Sequence, residues 1–254
     1  WINFDGAVKA PKYEHGETTS SDWQSIRDYP APWAEVSSDQ FIMSVPSSEI
    51  RTLDNPGDLM DFWEQALEME HDLYGFTPWP RIERAVFDVQ ISAGWMHSGY
   101  PFMAHLASAS GAVDLSHMES EGDWGMFHEL GHNHQWMPST LPGTTETGCN
   151  FASVYLMEEL VGISGHSATT PEQRHQRMTN YFGSGADIDD WSVWVALDTY
   201  LIIKEEWGWA PITDALTVYY NLPNSEVPYT DLEEFNAWVA HLSDTSGYNL
   251  APYH

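Results

Sequence analysis

Hydrophobic positions along the first half of this chain fall into two alternating periods. Gln40 to Val45 is rich in β-forming residues and stops at Pro46, which predicts a strand. From Pro56, Leu59, Phe62, Trp63, Ala66, Leu67, Met69 and Leu73 recur at helical spacing, which predicts a helix ended by Gly75. Ala85 to Ser92 alternates Val86, Val89 and Ile91 with polar residues and predicts a second strand. Phe102 to Ala107 predicts a third, reached through the aromatic loop Gly94 to Pro101. The third strand is expected to be a rail whose free edge pairs with an extended peptide. Residues 1 to about 35, rich in Pro, Ser and Tyr, read as an extended arm laid on the core.

Helical spacing dominates afterwards. Glu121 to Trp136 reads as a helix despite Gly122, Gly125 and Gly131, glycines that weaken it locally but permit close approach. Thr144 or Thr145 can cap a helix through Glu146, Asn150, Val154, Met157 and Leu160, and Pro171 opens a short one. Asp189 to Trp207 is apolar on most sides and should be a central helix, followed by Pro211 to Leu222 and Thr230 to Leu242. Strands first and helices after imply an α+β fold of two lobes around a cleft. One domain, 1–254, is expected, with the mixed sheet and active-site helix in a lobe of about 1–136 and a mainly helical lobe of 137–254.

Composition narrows the function. At 42% hydrophobic, 254 residues can bury one substantial core. Nine Lys and Arg against 38 Asp and Glu give a formal charge of -29, which argues against a nucleic acid or an anionic membrane as partner. No apolar run approaches a membrane span. From Ala85 to Gln173 there is no Lys or Arg, so the cleft is expected to favour neutral over sialylated ligands. Cys149 is the only cysteine, excludes an intrachain disulfide, and reads as a small buried residue. The acidic surface hints at an exported protein, and a chain opening at Trp1 without Met reads as a processed product.

The chemistry is carried by His128-Glu129-Leu130-Gly131-His132. Imidazoles at i and i+4 leave one helix face at a separation suited to one tetrahedral zinc, and Glu129 between them can act on a metal-activated water as general base. A metzincin would carry Gly at Gln135 and His at Pro138, so that class is excluded. A third ligand must come from further on. Glu146, near the start of the next helix, is favoured over Glu158, Glu159 and the acids of Asp187 to Asp190, and Asn150 one turn later could orient a ligand.

Phe127 through Gln135 followed by Glu146-Thr-Gly-Cys-Asn150 resembles the signature of the enhancin-like, mucin-directed metallopeptidases, peptidase family M60 of the gluzincins. Ala31 to Glu35, Gly94 to Pro101 and Trp207 to Pro211 look like the same family, so the resemblance covers nearly the whole chain. It implies a zincin-like fold and one Zn2+ held by His128, His132 and Glu146, with Glu129 as catalytic base. It further implies an endopeptidase acting on mucin-type O-glycoproteins, secreted or cell-surface and of bacterial type, as a monomeric catalytic domain of a longer protein. Thr147-Gly148-Cys149 departs from the more polar or branched residues expected there.

Trp95, His97 and Tyr100 in the aromatic loop are candidates to hold a glycan, and His134 and Trp136 to line the cleft, although such aromatics are more often core. An oxyanion donor is expected from a Tyr (Tyr100, Tyr155 or Tyr229), a His or a backbone N–H. The alternatives are a zinc endopeptidase indifferent to glycans, and a non-catalytic glycan-binding module.

Overall fold

The computed structural model describes residues 5–75, 81–191 and 193–253. Its strands are β1 (Lys12–Glu14), β2 (Trp33–Ser37), β3 (Phe41–Pro46), β4 (Glu83–Asp88), β5 (Met96–His97) and β6 (Phe102–His105). They form one six-stranded sheet in the order β1-β2-β3-β4-β6-β5. Pairing is mixed: β1 with β2, β3 with β4 and β4 with β6 run parallel, whereas β2 with β3 and β5 with β6 run antiparallel. The main helices are α1 (Ser20–Ile26), α2 (Pro56–Tyr74), α3 (Leu115–Ser120), α4 (Trp124–His134), α5 (Thr145–Leu156), α6 (Pro171–Gly183), α7 (Val193–Trp207), α8 (Ala210–Tyr220) and α9 (Asp231–Ser246). The fold is α+β, a mixed sheet followed by a mostly helical region.

The chain divides into two compact units, Trp1–Leu67 with Trp79–Glu129, and Glu68–Pro78 with Leu130–His254. In the first, the side-chain alternation of β3, β4 and β6 buries Phe41, Met43, Val45, Ala85, Phe87, Phe102 and Ala104 on one face. Trp63 of α2 is the centre of this core: its ring lies 5.2 Å from Phe41 and 6.1 Å from Phe127 of α4, and its indole N–H donates to the Ala112 carbonyl at 3.1 Å. That anchors the start of α4 to the sheet.

In the second unit, Tyr200 of α7 packs against Phe151 of α5 and Trp238 of α9, with ring centroids 5.1 and 5.3 Å apart. Asp198, fully buried, receives both Nε and Nη2 of Arg177 at 2.7 and 2.8 Å, which ties α6 to α7. A capping box built from Thr230 and Glu233 starts α9. Gly75 closes α2 as expected, at φ +63°, with Thr217 so near that no Cβ would fit.

Several expectations need correction. The N-terminal arm is not merely extended: it supplies β1, α1 and β2, and buries Trp23, whose indole N–H donates to the Leu53 carbonyl at 2.7 Å. The strand from Ala85 stops at Asp88, whose carboxylate accepts the N–H groups of Val89 and Gln90 and turns the chain out of the sheet. The expected rail has no free edge along Met103 and Ala104, because β5, formed inside the aromatic loop, already pairs there. The central helix begins at Val193, after a 3-10 turn over Ile188–Asp190; Ser192 lies outside the described residues. Among the described residues, no helix is long and apolar enough to cross a membrane.

Candidate metal centre

Helix α4 starts where Gly122, at φ +63°, reverses the chain and Asp123 takes over as cap, its carboxylate accepting the Met126 N–H at 3.0 Å. Burial raises the pKa of Asp123 against the opposing pull of the Met126 and Gly125 N–H groups. Met126, Phe127 and Leu130 are fully buried, which fixes the rotation of the helix. His128 and His132 then share the opposite, partly exposed face, and Glu129 is left 8% exposed beside them.

His132 is oriented by a residue to which the sequence reading gave no role. Its Nδ1 lies 2.8 Å from Oε1 of Gln135, and the Gln135 amide donates to the Thr145 carbonyl at 2.6 Å. A carbonyl oxygen can only accept, so Nδ1 carries the proton and Nε2 presents its lone pair outward. Nε2 lies 3.6 Å from Oε2 of Glu146. One side chain therefore both sets the ring and joins α4 to the first turn of α5. The spacing of three residues from His132 was the signal that could have revealed it.

Two glycines permit the approach. A Cβ on Gly131 would stand 2.8 Å from Cβ of Ala152 and 2.9 Å from the Cys149 carbonyl oxygen, and one on Gly148 would stand 2.4 Å from the Gln135 amide nitrogen. Helix α5 is held from its other side by Thr147, whose hydroxyl donates to the Val193 carbonyl at 2.9 Å. The outcome is a group able to hold a metal: donor atoms of His128, His132, Glu146 and Cys149 all lie within 4.8 Å of one another. His128 joins it along the continuous helix α4. Two imidazoles, a carboxylate and a thiol suit zinc, a borderline-soft ion that accepts nitrogen, oxygen and sulfur. Cys149, expected only to fill space, is buried as expected but also belongs to this group. It follows Glu146 by three positions, again on one helix face.

Two of the competing acids are engaged elsewhere. Glu158 pairs with Lys204, and Asp187 accepts the Asp189 N–H at 3.0 Å to cap a 3-10 turn. Asn150 is buried on α5 at 2% exposure.

Of the two places open to His134, cleft or core, it takes the core. It is 4% exposed, with Nδ1 2.8 Å from the Leu130 carbonyl oxygen and 3.0 Å from Oε2 of the buried Glu70, so it is a structural histidine. Tyr74 stacks on it at 5.9 Å and donates its hydroxyl to the Gly148 carbonyl at 2.8 Å. Burial, and then the charge of Glu70, hold the Tyr74 phenol well above its ordinary pKa. Against the same ring lies His71, 4.9 Å away, pushed down to about 4 by burial and then by His134. Trp136 is half-buried, edge-on to Tyr219 and Tyr220, and lines a small recess with Gln135, Thr144 and Gly148.

The aromatic loop remains open to solvent. Trp95 is 57% exposed, stacked on His105 at 4.2 Å, with its N–H donated to the Ser108 hydroxyl. His97 is held between Ser92 and the Ser98 carbonyl, each at 2.9 Å. Tyr100 is half-exposed under the guanidinium of Arg81, 4.2 Å from its ring centroid. Arg81, itself paired with Glu83 at 3.3 Å, precedes the stretch without basic residues and brings a cation against the loop. Of the other two candidate oxyanion donors, Tyr155 is half-buried against Trp209 and Tyr229 is 80% exposed.

With this geometry in view, comparison with known proteins is decisive. A family described as peptidase M60, enhancin and enhancin-like, matches residues 6–254. The chain belongs to that family. Among curated relatives, TRPM8 channel-associated factor 2 of Bos taurus is 43% identical over 260 residues, covering 99% of this chain and 28% of the relative. The Homo sapiens protein of the same name is 39% identical with the same coverage. This chain thus spans little more than a quarter of these relatives. Among solved structures, a conserved Bacillus anthracis protein of unknown function superposes with TM-score 0.82 at 19% identity, over 96% of this chain and 52% of that one. The M60 catalytic domain of Clostridium perfringens ZmpC, solved in complex with the sialyl T antigen, superposes with TM-score 0.65 at 12% identity, over 96% and 52%. At such identities the likeness is one of fold. The expectation of a bacterial secreted protein is corrected: relatives near 40% identity are vertebrate channel-associated factors. An acidic surface reports on solubility and carried no information on source or compartment.

Proposed function

We propose that this chain is a single zinc endopeptidase domain that hydrolyses peptide bonds in O-glycosylated, mucin-like proteins. The observation that supports it is the grouping of His128, His132 and Glu146 around a point that a single ion could fill, with Glu129 beside it on the same helix. Zinc bound there would supply Lewis acidity toward the scissile carbonyl. Glu129, nearly buried, accepts the proton of the attacking water and delivers it to the leaving amine nitrogen. Gln135 keeps His132 in the tautomer that can ligate, and Asn150, buried one turn after Glu146, would orient a ligand. Trp95 and Tyr100 offer exposed rings to a glycan, with half-buried His97 between them, in keeping with the sugar bound by ZmpC.

A second reading is favoured by the curated relatives, whose names describe association with the TRPM8 channel: the domain would act as a protein-interaction module. The intact Glu129 favours catalysis, since binding alone does not require a general base. The deciding experiment incubates zinc-loaded protein and its Glu129→Gln variant with one peptide, with and without an O-linked glycan. Cleavage of the glycosylated form alone, lost in the variant while zinc stays bound, is expected. Equal cleavage of both peptides would remove the glycan requirement, and no cleavage of either would leave the interaction reading.

A further inference from the structure

Four donors at this centre are one more than a catalytic zinc requires. We propose that the Cys149 thiolate takes the coordination position otherwise left to solvent, holding the site in a closed, idle form; this rests on the peptidase reading above.

Glu146 and Cys149 stand at i and i+3 of α5, so both project from the face that Gly131 allows against α4. In a tetrahedral zinc site, ligand bonds of about 2.0–2.3 Å put neighbouring donors roughly 3.5 Å apart. A group already within 4.8 Å needs only small side-chain rotations to close. At present the Cys149 thiol lies 3.1 Å from the Glu146 carbonyl oxygen, and the weak S–H bond it donates there costs little to give up. The side chain is fully buried, so the sulfur reaches the ion without losing a hydration shell.

Closing breaks the S–H bond, forms a sulfur–zinc bond and releases the proton to solvent, with no electron transferred. Opening returns a proton to sulfur and the position to solvent. Four protein ligands make a closed structural zinc site and three make a catalytic one, so the thiol decides between the two on a single framework. The chemical class of signal it would answer is a competing soft metal.

Cobalt(II) in place of zinc tests this on the intact chain. A near-ultraviolet sulfur-to-cobalt charge-transfer band is expected, together with one sulfur neighbour at about 2.3 Å in the X-ray absorption of the zinc form. Cys149→Ala should abolish the band, weaken zinc binding roughly tenfold or more and raise peptide hydrolysis. Cys149→Ser controls for the space that alanine leaves. A nitrogen- and oxygen-only shell in the unaltered protein overturns the proposal, even if hydrolysis is robust. A clear sulfur signal with no hydrolysis by either variant overturns the idle form and the peptidase reading, while keeping the ligand.

Discussion

Nδ1 of His132 and Oε1 of Gln135 lie 2.8 Å apart, and the same glutamine donates to the Thr145 carbonyl. Such a partner raises ligand basicity and fixes the ring, and its loss typically costs 10–100-fold in metal affinity, as an order of magnitude. Gln135→Leu should therefore weaken zinc binding by about that factor in a chelator competition. Gln135→Glu keeps the acceptor and should fall between. Leucine binding zinc as tightly as the unaltered protein would show that the ring is set by something else.

Gly131 predicts a coupled loss of stability and metal affinity. Alanine there meets Ala152 and the Cys149 carbonyl below 3.0 Å, backbone and short side chains that cannot swing away. Overpacking of this kind costs about 1–3 kcal/mol. Urea unfolding of the apoprotein should show that loss, and zinc affinity should fall as α5 is pushed from His132. Unchanged values for both would mean that the helices slide apart freely.

Stability should decline on mild acidification through His71. Its folded pKa is held near 4, against an ordinary 6.5, so between these values the unfolded chain binds more protons. The stabilisation is complete above pH 6.5 and is lost progressively as pH falls toward 4. Thermal midpoints measured across that window should drop, and His71→Gln should flatten the drop. An equally steep profile in the variant would place the titrating group elsewhere.

The buried carboxylate of Asp198 makes its arginine partners sensitive positions of the helical unit. It is fully buried beneath Arg177 and Arg174. Removing one partner of a buried pair leaves uncompensated charge, at about 3–5 kcal/mol. Arg177→Ala, which leaves the buried carboxylate with Arg174 alone, should lower the unfolding midpoint more than Asp198→Ala, after which both guanidiniums can turn toward solvent.

The sequence disclosed most where many positions report one period. Nineteen residues of α2, ended by Gly75, were legible because apolar spacing and a left-handed glycine agree. The two histidines and Glu129 were legible because a helix fixes their geometry locally. Strands β1 and β5 span three and two residues, too few to show a period, and α1 carries a single buried residue, Trp23. For His134 the sequence left cleft and core both open, because its burial is set by Glu70 on another helix. Gln135 and Cys149 were different: each stands three residues from a candidate ligand, a spacing that is visible without coordinates.

Strand β5 occupies the flank of β6 at Met103 and Ala104, and is itself only Met96 and His97 long. A guest chain adding itself to this side of the sheet would find a dock two amino acids in length. Main-chain complementarity alone cannot grip a visitor for long on so short a berth. Discrimination among visitors then falls to what protrudes from them, and to the rings of Trp95 and Tyr100 that wait beside it.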